Sequence, residues 1–279
     1  MPASIALVTT RDLLVEDSDE TALLAVLPEA EVVPWEAEDV NWGAYGLVVL
    51  RSPWNYIDKL DEFLAWAARV ASATLLVNPL EIIEWNTDKR YLADLAARGI
   101  PIVPTESVAP GERPTGSLGG GIVVKPSVGN GSNGAKLLRD DEDGAAAHIA
   151  ALHEQGRTAM IQPYIAGVDE HGETALIFLN GTFSHAARKA AILSRDMSWS
   201  TGLYADEKVG PTAATAAELE LAERVLADLP GLAYARVDLL PTADGPVVLE
   251  LELTEPSLFL AMEPGAPGRA ATAFRSLLA

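Results

Sequence analysis

The chain has 279 residues, 49% of them hydrophobic and 22% charged, an ordinary globular balance with enough length for one large or two modest domains. Forty acidic residues against 20 basic give a net charge of −20, which argues against nucleic acid or an anionic membrane as partner; a nucleotide is still allowed where local lysine and Mg²⁺ reverse the field. The absence of cysteine excludes disulfides, thiolate metal sites and Cys nucleophiles. The N-terminus (MPASIALVTTRDLL) has no basic segment before a long apolar run, and no stretch reaches the roughly 18 apolar residues of a spanning helix. A cytoplasmic protein is expected, in which the glycosylation-like triplets at Asn130 and Asn180 carry no weight.

The first 80 residues alternate strand and helix patterns. Residues 4–9 form an apolar run, 17–27 a helix opened by acidic residues, and 31–34 and 47–51 further apolar runs. Residues 58–71 place Leu60, Phe63, Leu64, Ala67 and Ala71 at helical spacing, and 74–77 is a strand ended by Asn78-Pro79. This βαβ rhythm predicts a small, mainly parallel α/β sheet domain over residues 1–85. Thr87 then reads as the N-cap of a helix over 88–98 that Gly99 stops. Residues 101–121, rich in Pro and Gly, read as a connector. Hairpins follow: 121–125 with 135–138, then 174–179 with 182–190 across Asn180-Gly181, a strong turn signal. Helices over 143–155 and 215–228 separate them, so residues 86–279 read as α+β.

The most informative segment is 235–256 (ARVDLLPTADGPVVLELELTEP). It reads as two apolar strands joined at Asp244-Gly245, with Arg236 and Asp238 on one face of the first and Glu250 and Glu252 on one face of the second. Glutamate is depleted in strands, and neighbouring carboxylates repel unless a cation or arginine compensates. If the three carboxylates share a face, they form an all-oxygen site for a hard divalent cation; the other reading is a solvated strand face. Register decides between them. A three-residue turn centred on Asp244 sets Asp238 opposite Glu250 and Arg236 opposite Glu252, whereas a two-residue turn breaks the cluster.

Residues 129–134 fit G-x-G-x-x-G, but no helix follows directly, and Ala135 and Leu137 break the Walker form. What remains is strand, glycine loop, strand: a flap whose backbone N–H groups can close over phosphates, or else an ordinary hairpin tip. Lys125 ends the apolar strand four residues before that loop, and Lys89 lies at a helix start.

With these parts in this order, from about residue 86 to 256, the chain resembles the ATP-grasp superfamily, the group of D-alanine–D-alanine ligase and glutathione synthetase. The resemblance implies an N-terminal small parallel-sheet domain, a glycine-flap lid subdomain over about 110–165 and a C-terminal antiparallel-sheet subdomain, with ATP held between the last two. It places Lys89 and Lys125 on the phosphates beneath a flap that includes Gly129, Gly131, Ser132 and Gly134. Residues 160–165 match the hinge, so that Gln162, Tyr164 and Ile165 meet adenine, with Asp169 (Glu170 as the alternative) on the ribose. Lys189 matches the cation that meets the γ-phosphate, with Arg188 on the opposite strand face. Asp238, Glu250 and Glu252 take the positions of ligands to Mg²⁺ or Mn²⁺, and Arg236 that of the arginine stabilising a tetrahedral intermediate. Glu252 stands where many of these ligases have Asn; oxygen ligation is kept.

Residues 48–56, 85–92 and 183–189 are similar to the O-ureidoserine cyclo-ligase (cycloserine synthetase) branch. The implied reaction converts a carboxylate to an acyl phosphate for attack by an amine-type nitrogen, with catalysis mainly by positioning and electrostatics. Substrates gather at the carboxyl ends of parallel strands. Arg51, Trp54, Asn55 and Tyr56 follow the third strand there, although Trp54 reads equally well as packing the domain joint; residues 9–12 and His185 are further candidates. The expected protein is an ADP-forming ligase acting on a small amino-acid-like substrate, with ring closure implied by the cyclo-ligase resemblance, and forming a homo-oligomer taken as a dimer. Intermolecular amino-acid ligation, phosphotransfer to a stable phosphorylated product, and a non-catalytic ATP-binding scaffold are the alternatives.

Overall fold

The computed structural model describes residues 4–13, 16–190 and 208–278. The strands β1 (Ile5–Thr9), β2 (Ala30–Pro34), β3 (Leu47–Ser52) and β4 (Leu75–Val77) pair in parallel in the order β2-β1-β3-β4. β1 and β3 are buried along their whole length, as central parallel strands are when both faces are covered. The helix α2 (Leu60–Ala73) covers one face through Phe63, Trp66, Ala67 and Val70. Leu23 of α1 (Ser18–Leu24) and Ala270 and Phe274 of the C-terminal helix (Ala266–Ser276) share the core on the other.

Two short helices stand where one was expected. Thr87 closes α3 (Leu80–Asn86) in helical conformation instead of capping the next helix, and α4 (Tyr91–Ala97) starts after Arg90. A seven-residue helix preceded by Pro79 spans too few turns to give a periodic signal. The connector contains β5 (Glu106–Val108), which joins β6 (Gly121–Pro126), β7 (Lys136–Arg139) and β8 (Ala159–Pro163) in an antiparallel sheet of order β5-β8-β6-β7. Ala145, Ile149 and Leu152 of α5 (Glu142–Glu154) pack in its core.

After α6 (Gly167–His171) comes the central antiparallel sheet. It contains β9 (Glu173–Leu179), β10 (Thr182–Lys189), β11 (Val209–Thr212), β12 (Tyr234–Thr242) and β13 (Gly245–Glu252), in the order β11-β10-β9-β12-β13. The helix α7 (Ala216–Leu226) begins with a capping box between Thr215 and Glu218. β11 was not expected; its Pro211 is tolerated because the strand lies at the sheet edge. Leu176, Phe178, Val237 and Leu251 share a core with α4 and α7, whereas Ala175, Ile177 and Tyr234 share one with the parallel sheet and the C-terminal helix.

The β12–β13 register corrects an expectation about the turn. Thr242 pairs with Gly245, so the turn has two residues, yet Asp238 still lies opposite Glu250 and Arg236 opposite Glu252. The cluster survives because the register shifts between Asp238 and Leu239, making Leu249 the extra residue of a β-bulge. Leu249 and Glu250, although consecutive, both line the same cavity. The outer edge of β13 is also held. Asn86 Nδ2 donates to the Leu251 carbonyl at 2.8 Å, and Asn86 Oδ1 accepts from Leu253 N–H at 2.7 Å. Tyr91 Oη accepts from Leu251 N–H at 2.8 Å, and Val248 N–H donates to the Pro101 carbonyl at 2.9 Å. These contacts cap an otherwise exposed sheet edge. Among the described residues no helix is long and apolar enough to cross a membrane.

Glu20, on the buried side of α1, accepts a short hydrogen bond from Ser52 Oγ. Burial, with help from Asp17 and Asp19, pushes its carboxyl up to about 7 against the opposing effects of Ser52 and Arg51. The folded protein therefore holds a proton here that the unfolded chain releases near pH 4.5, so this contribution to stability is full at low pH and is lost as pH rises through about 7. Glu20→Gln removes the dependence. Melting temperatures of both proteins at pH 5 and pH 7.5 check it: the variant gains on the native protein at the higher pH, and an equal difference at both would refute the assignment.

Candidate active site

A cavity of about 540 Å³ is lined by residues of the lid sheet, the β12–β13 hairpin and the N-terminal domain. One end is apolar, with Val103, Val123, Ile165, Val168, Leu240 and Leu249 on its walls and Gln162 and Tyr164 beside them. The other end is charged, and its floor is the hairpin. Of the four charged side chains on its two strands, Arg236, Glu250 and Glu252 line the cavity, while Asp238 is buried just beneath, with 1% exposure.

Each acid of the floor is turned towards cations. Arg236 grips Asp238 in a forked pair, Nε to Oδ1 and Nη2 to Oδ2, both at 2.9 Å. Lys189 Nζ reaches Asp238 Oδ2 and Glu173 Oε2, each at 2.9 Å. Lys89 Nζ lies 3.1 Å from Glu250 Oε1, and Lys125 Nζ 4.0 Å from Oε2. Glu252 makes a short contact with Arg236. Although burial opposes it, the attraction of Arg236 and Lys189 holds Asp238 down at about 2. Burial likewise acts to raise Glu250, but Lys89 and Lys125 hold it below its ordinary value. The ammonium of Lys89 resists burial because Glu250, Glu252 and Glu255 favour its charge, whereas burial lowers Lys125, with Lys89 and Lys189 adding repulsion.

Glu252 is the acid left over. Burial pushes it up to about 8, and the negative charges of Glu250 and Asp238 add to this beyond what Arg236 offsets. Among the described residues no group of three or more His, Cys, Asp or Glu side chains is arranged to hold a metal ion. The donor chemistry nevertheless fits a hard cation: all-oxygen ligands aligned on one face of the hairpin. Glu250 and Glu252 are the members open to the cavity.

The flap closes the charged end. Gly129, Gly131 and Ser132 line it, and Gly134 sits just behind, with φ 75°, where an added Cβ would press on the Pro126 ring at 3.2 Å. Lys89 Nζ donates to the Gly129 carbonyl, and His148 Nε2 to that of Gly134 at 2.8 Å. Asn130, a flap residue with no role assigned above, donates from Nδ2 to the Trp54 carbonyl at 2.8 Å and so ties the flap to the N-terminal domain. At the hinge, Gln162 donates to Thr105 Oγ1 at 2.8 Å, and Tyr164 Oη donates to Asp169. Asp169 lies off the cavity wall, 4.0 Å from Arg139, and Glu170 is largely exposed. Arg188, outside the cavity, donates to the His171 carbonyl at 2.9 Å.

The substrate candidates have other work. Arg51 is 1% exposed; its Nη2 donates to the Pro256 carbonyl at 2.6 Å and lies 3.8 Å from Asp19. His185 holds the Leu258 carbonyl at 2.9 Å, and Asn55 is taken up by Trp35, Asp12 and Glu36. These three side chains therefore do not reach the cavity. Thr10, likewise, donates to Glu36 at 2.8 Å. Trp54 does line the cavity, and its Nε1 donates to the Glu255 carbonyl at 3.2 Å. Asp19 accepts the N–H groups of Leu258, Phe259 and Leu260 at 2.5, 3.1 and 2.8 Å. Most of these residues thus brace one loop, residues 255–260. Glu173 and Glu255 of the cavity wall escaped the sequence reading; the period-two pattern of Glu255, Ser257 and Phe259, all lining it, was the available signal.

Comparison with known proteins bears on family and fold. Residues 5–78 match the family described as D-cycloserine synthetase DcsG, N-terminal domain. The chain is 40% identical over 278 residues to the cycloserine biosynthesis protein DcsG of Streptomyces lavendulae, covering 92% of each. The crystal structure of D-cycloserine synthetase DcsG superimposes with a TM-score of 0.87 at 36% identity over 99% of both chains. A RimK-domain ATP-grasp protein from Sphaerobacter thermophilus, at 18% identity and TM-score 0.66 over 98% of both chains, shares the fold.

Gly172 provides a test of how Lys189 is placed. It has φ 68°, and an added Cβ would collide with the Lys189 carbonyl oxygen. Gly172→Ala is expected to cost about 1–3 kcal/mol of stability and to lower turnover by displacing Lys189. Denaturant unfolding and steady-state kinetics check both, and wild-type values in each would refute the coupling.

Proposed function

The chain belongs to the D-cycloserine synthetase DcsG family of ATP-grasp ligases, ADP-forming enzymes that make carbon–nitrogen bonds, and from that premise we propose that it activates the carboxylate of a small amino-acid-like substrate and closes a ring within it, as in the conversion of O-ureidoserine to cycloserine. The observation that carries the proposal is one cavity with an apolar slot at one end and Lys89, Lys125, Lys189 and Arg236 over paired carboxylates at the other. That polarity matches a nucleotide laid lengthwise, base in the slot and phosphates over the lysines.

In this reading the slot takes the adenine through Val103, Leu240, Leu249 and the 160–165 hinge, while Asp169, close to the hinge, is assigned to the ribose. Lys89 and Lys125 neutralise the phosphates, and the backbone N–H groups of residues 129–134 close over them. Glu250 and Glu252, with Asp238 behind them, would hold Mg²⁺ or Mn²⁺, which supplies charge neutralisation on the triphosphate when bound. Lys189 faces the γ-phosphoryl group as it passes to a substrate carboxylate oxygen. The substrate nitrogen attacks the acyl carbon, and phosphate leaves. Arg236, immobilised by Asp238, Glu252 and the Ser257 carbonyl at 3.1 Å, stabilises the oxyanion of that step. A side chain pinned on three sides needs little reorganisation as charge develops.

ADP release measured across amino acids and their analogues, with mass spectrometry of the products, tests the proposal. The expected outcome is substrate-dependent ADP and free phosphate with a product of intramolecular ring closure. A product that keeps the phosphoryl group would mean a phosphotransferase, a joined pair of molecules an intermolecular ligase, and no ADP with any compound a binding scaffold. Glu250→Gln should lower turnover by at least about 100-fold while keeping a cooperative unfolding transition. Near-normal turnover would remove Glu250 from the metal-binding and phosphate-neutralising assembly.

A further inference from the structure

Loop 255–260 is anchored by Arg51, Trp54, His185 and Asp19, which together bind six of its backbone groups. With the backbone so constrained, the side chains alternate. Glu255, Ser257 and Phe259 line the cavity, while Leu258 and Leu260 enter the core. Glu255 is 9% exposed and bonded to the Tyr56 side chain. It forms no ion pair among the described residues, whereas Asp238, Glu250 and Glu252 each form at least one. Its carboxyl is accordingly pushed up by burial to about 7, despite the bond from Tyr56 and the attraction of Lys89.

A buried carboxylate that faces a cavity without a cation of its own is costly, and a ligand that brings one relieves the cost. In an α-amino acid the ammonium nitrogen is two bonds from the carboxyl carbon. A site for the ammonium must therefore adjoin the site of the reacting carbon. Glu255 meets that requirement: it lies three residues beyond Glu252, the contact of Arg236, and within the electrostatic reach of Arg236 itself.

We infer that Glu255, braced by the Tyr56 hydroxyl, binds the α-ammonium group of the substrate, so that the enzyme selects amino acids over simple carboxylic acids. Tyr56, 3% exposed and itself off the cavity wall, holds the Glu255 side chain from behind. Tyr56 is then a positioning residue, and Glu255 a specificity-determining one. The inference rests on the carboxylate-activating reading given above.

The test compares O-ureidoserine, or whichever amino acid the ADP-release panel finds active, with its counterpart lacking the amino group. The native enzyme is expected to prefer the amino acid by about 10- to 100-fold in kcat/KM, the range of a charged hydrogen bond. Glu255→Gln should lose most of that preference by weakening use of the amino acid while leaving use of the deaminated counterpart and the Kd for ATP near native. Tyr56→Phe should erode the preference several-fold in the same direction, and it carries the test if the Glu255 variant does not fold. A preference unchanged in a folded variant overturns the inference while the ligase reading stands. No ADP from the native enzyme with any amino acid overturns both.

Discussion

Asp238 is buried to 1% exposure, and a carboxylate taken so far from water must be compensated. Arg236 and Lys189 supply the compensation, and removing either partner from such a group typically costs about 3–5 kcal/mol. The rest of the charged floor depends on that constraint. Arg236, gripping Asp238 in a forked pair, is left with donors for Glu252 and the Ser257 carbonyl. Lys189, drawn to the same carboxylate, is shared with Glu173 at the start of β9. A buried anion thus positions two cations facing the cavity, and the neighbouring Lys89–Glu250–Lys125 group repeats the device.

The same economy links the domains. Residues of the parallel-sheet domain serve the catalytic half mostly by holding backbone. Asn78 bonds Ala233, Tyr234 and Leu253, and Arg51, Trp54 and Asp19 bond residues 255–260. Asn130 returns the connection from the flap to Trp54. Flap and loop 255–260 therefore share one anchor in the N-terminal domain, Trp54.

Much of this was readable from residue patterns. The hairpin pairs, the parallel-sheet runs and the glycine loop are local signals, and the structure forms an element at each. The cavity also gathers Lys125, Lys189 and Arg236, which strand alternation places, with Lys89, which stands between α3 and α4. What escaped depends on distant partners. The bulge at Leu249 leaves no mark in the alternation, since both registers keep Val248 and Leu251 apolar. Arg51 read as a ligand contact because it follows the third strand where substrates gather, and His185 as a further candidate; their partners are carbonyls 205 and 73 residues away. Asn55 is tied to Trp35 and Glu36, a network that no spacing announces. Glu255 lay outside the hairpin pattern, in a loop ordered only by tertiary contacts.

The central claim is that these fixed charges serve to activate a carboxylate by phosphorylation. It is tested most directly by following oxygen. Substrate carrying ¹⁸O in its carboxylate is incubated with ATP and the enzyme, and the inorganic phosphate is analysed by mass spectrometry. The account predicts transfer of ¹⁸O into phosphate in step with ADP release, because the acyl carbon–oxygen bond breaks when nitrogen attacks. Unlabelled phosphate accompanying normal ADP release would contradict it.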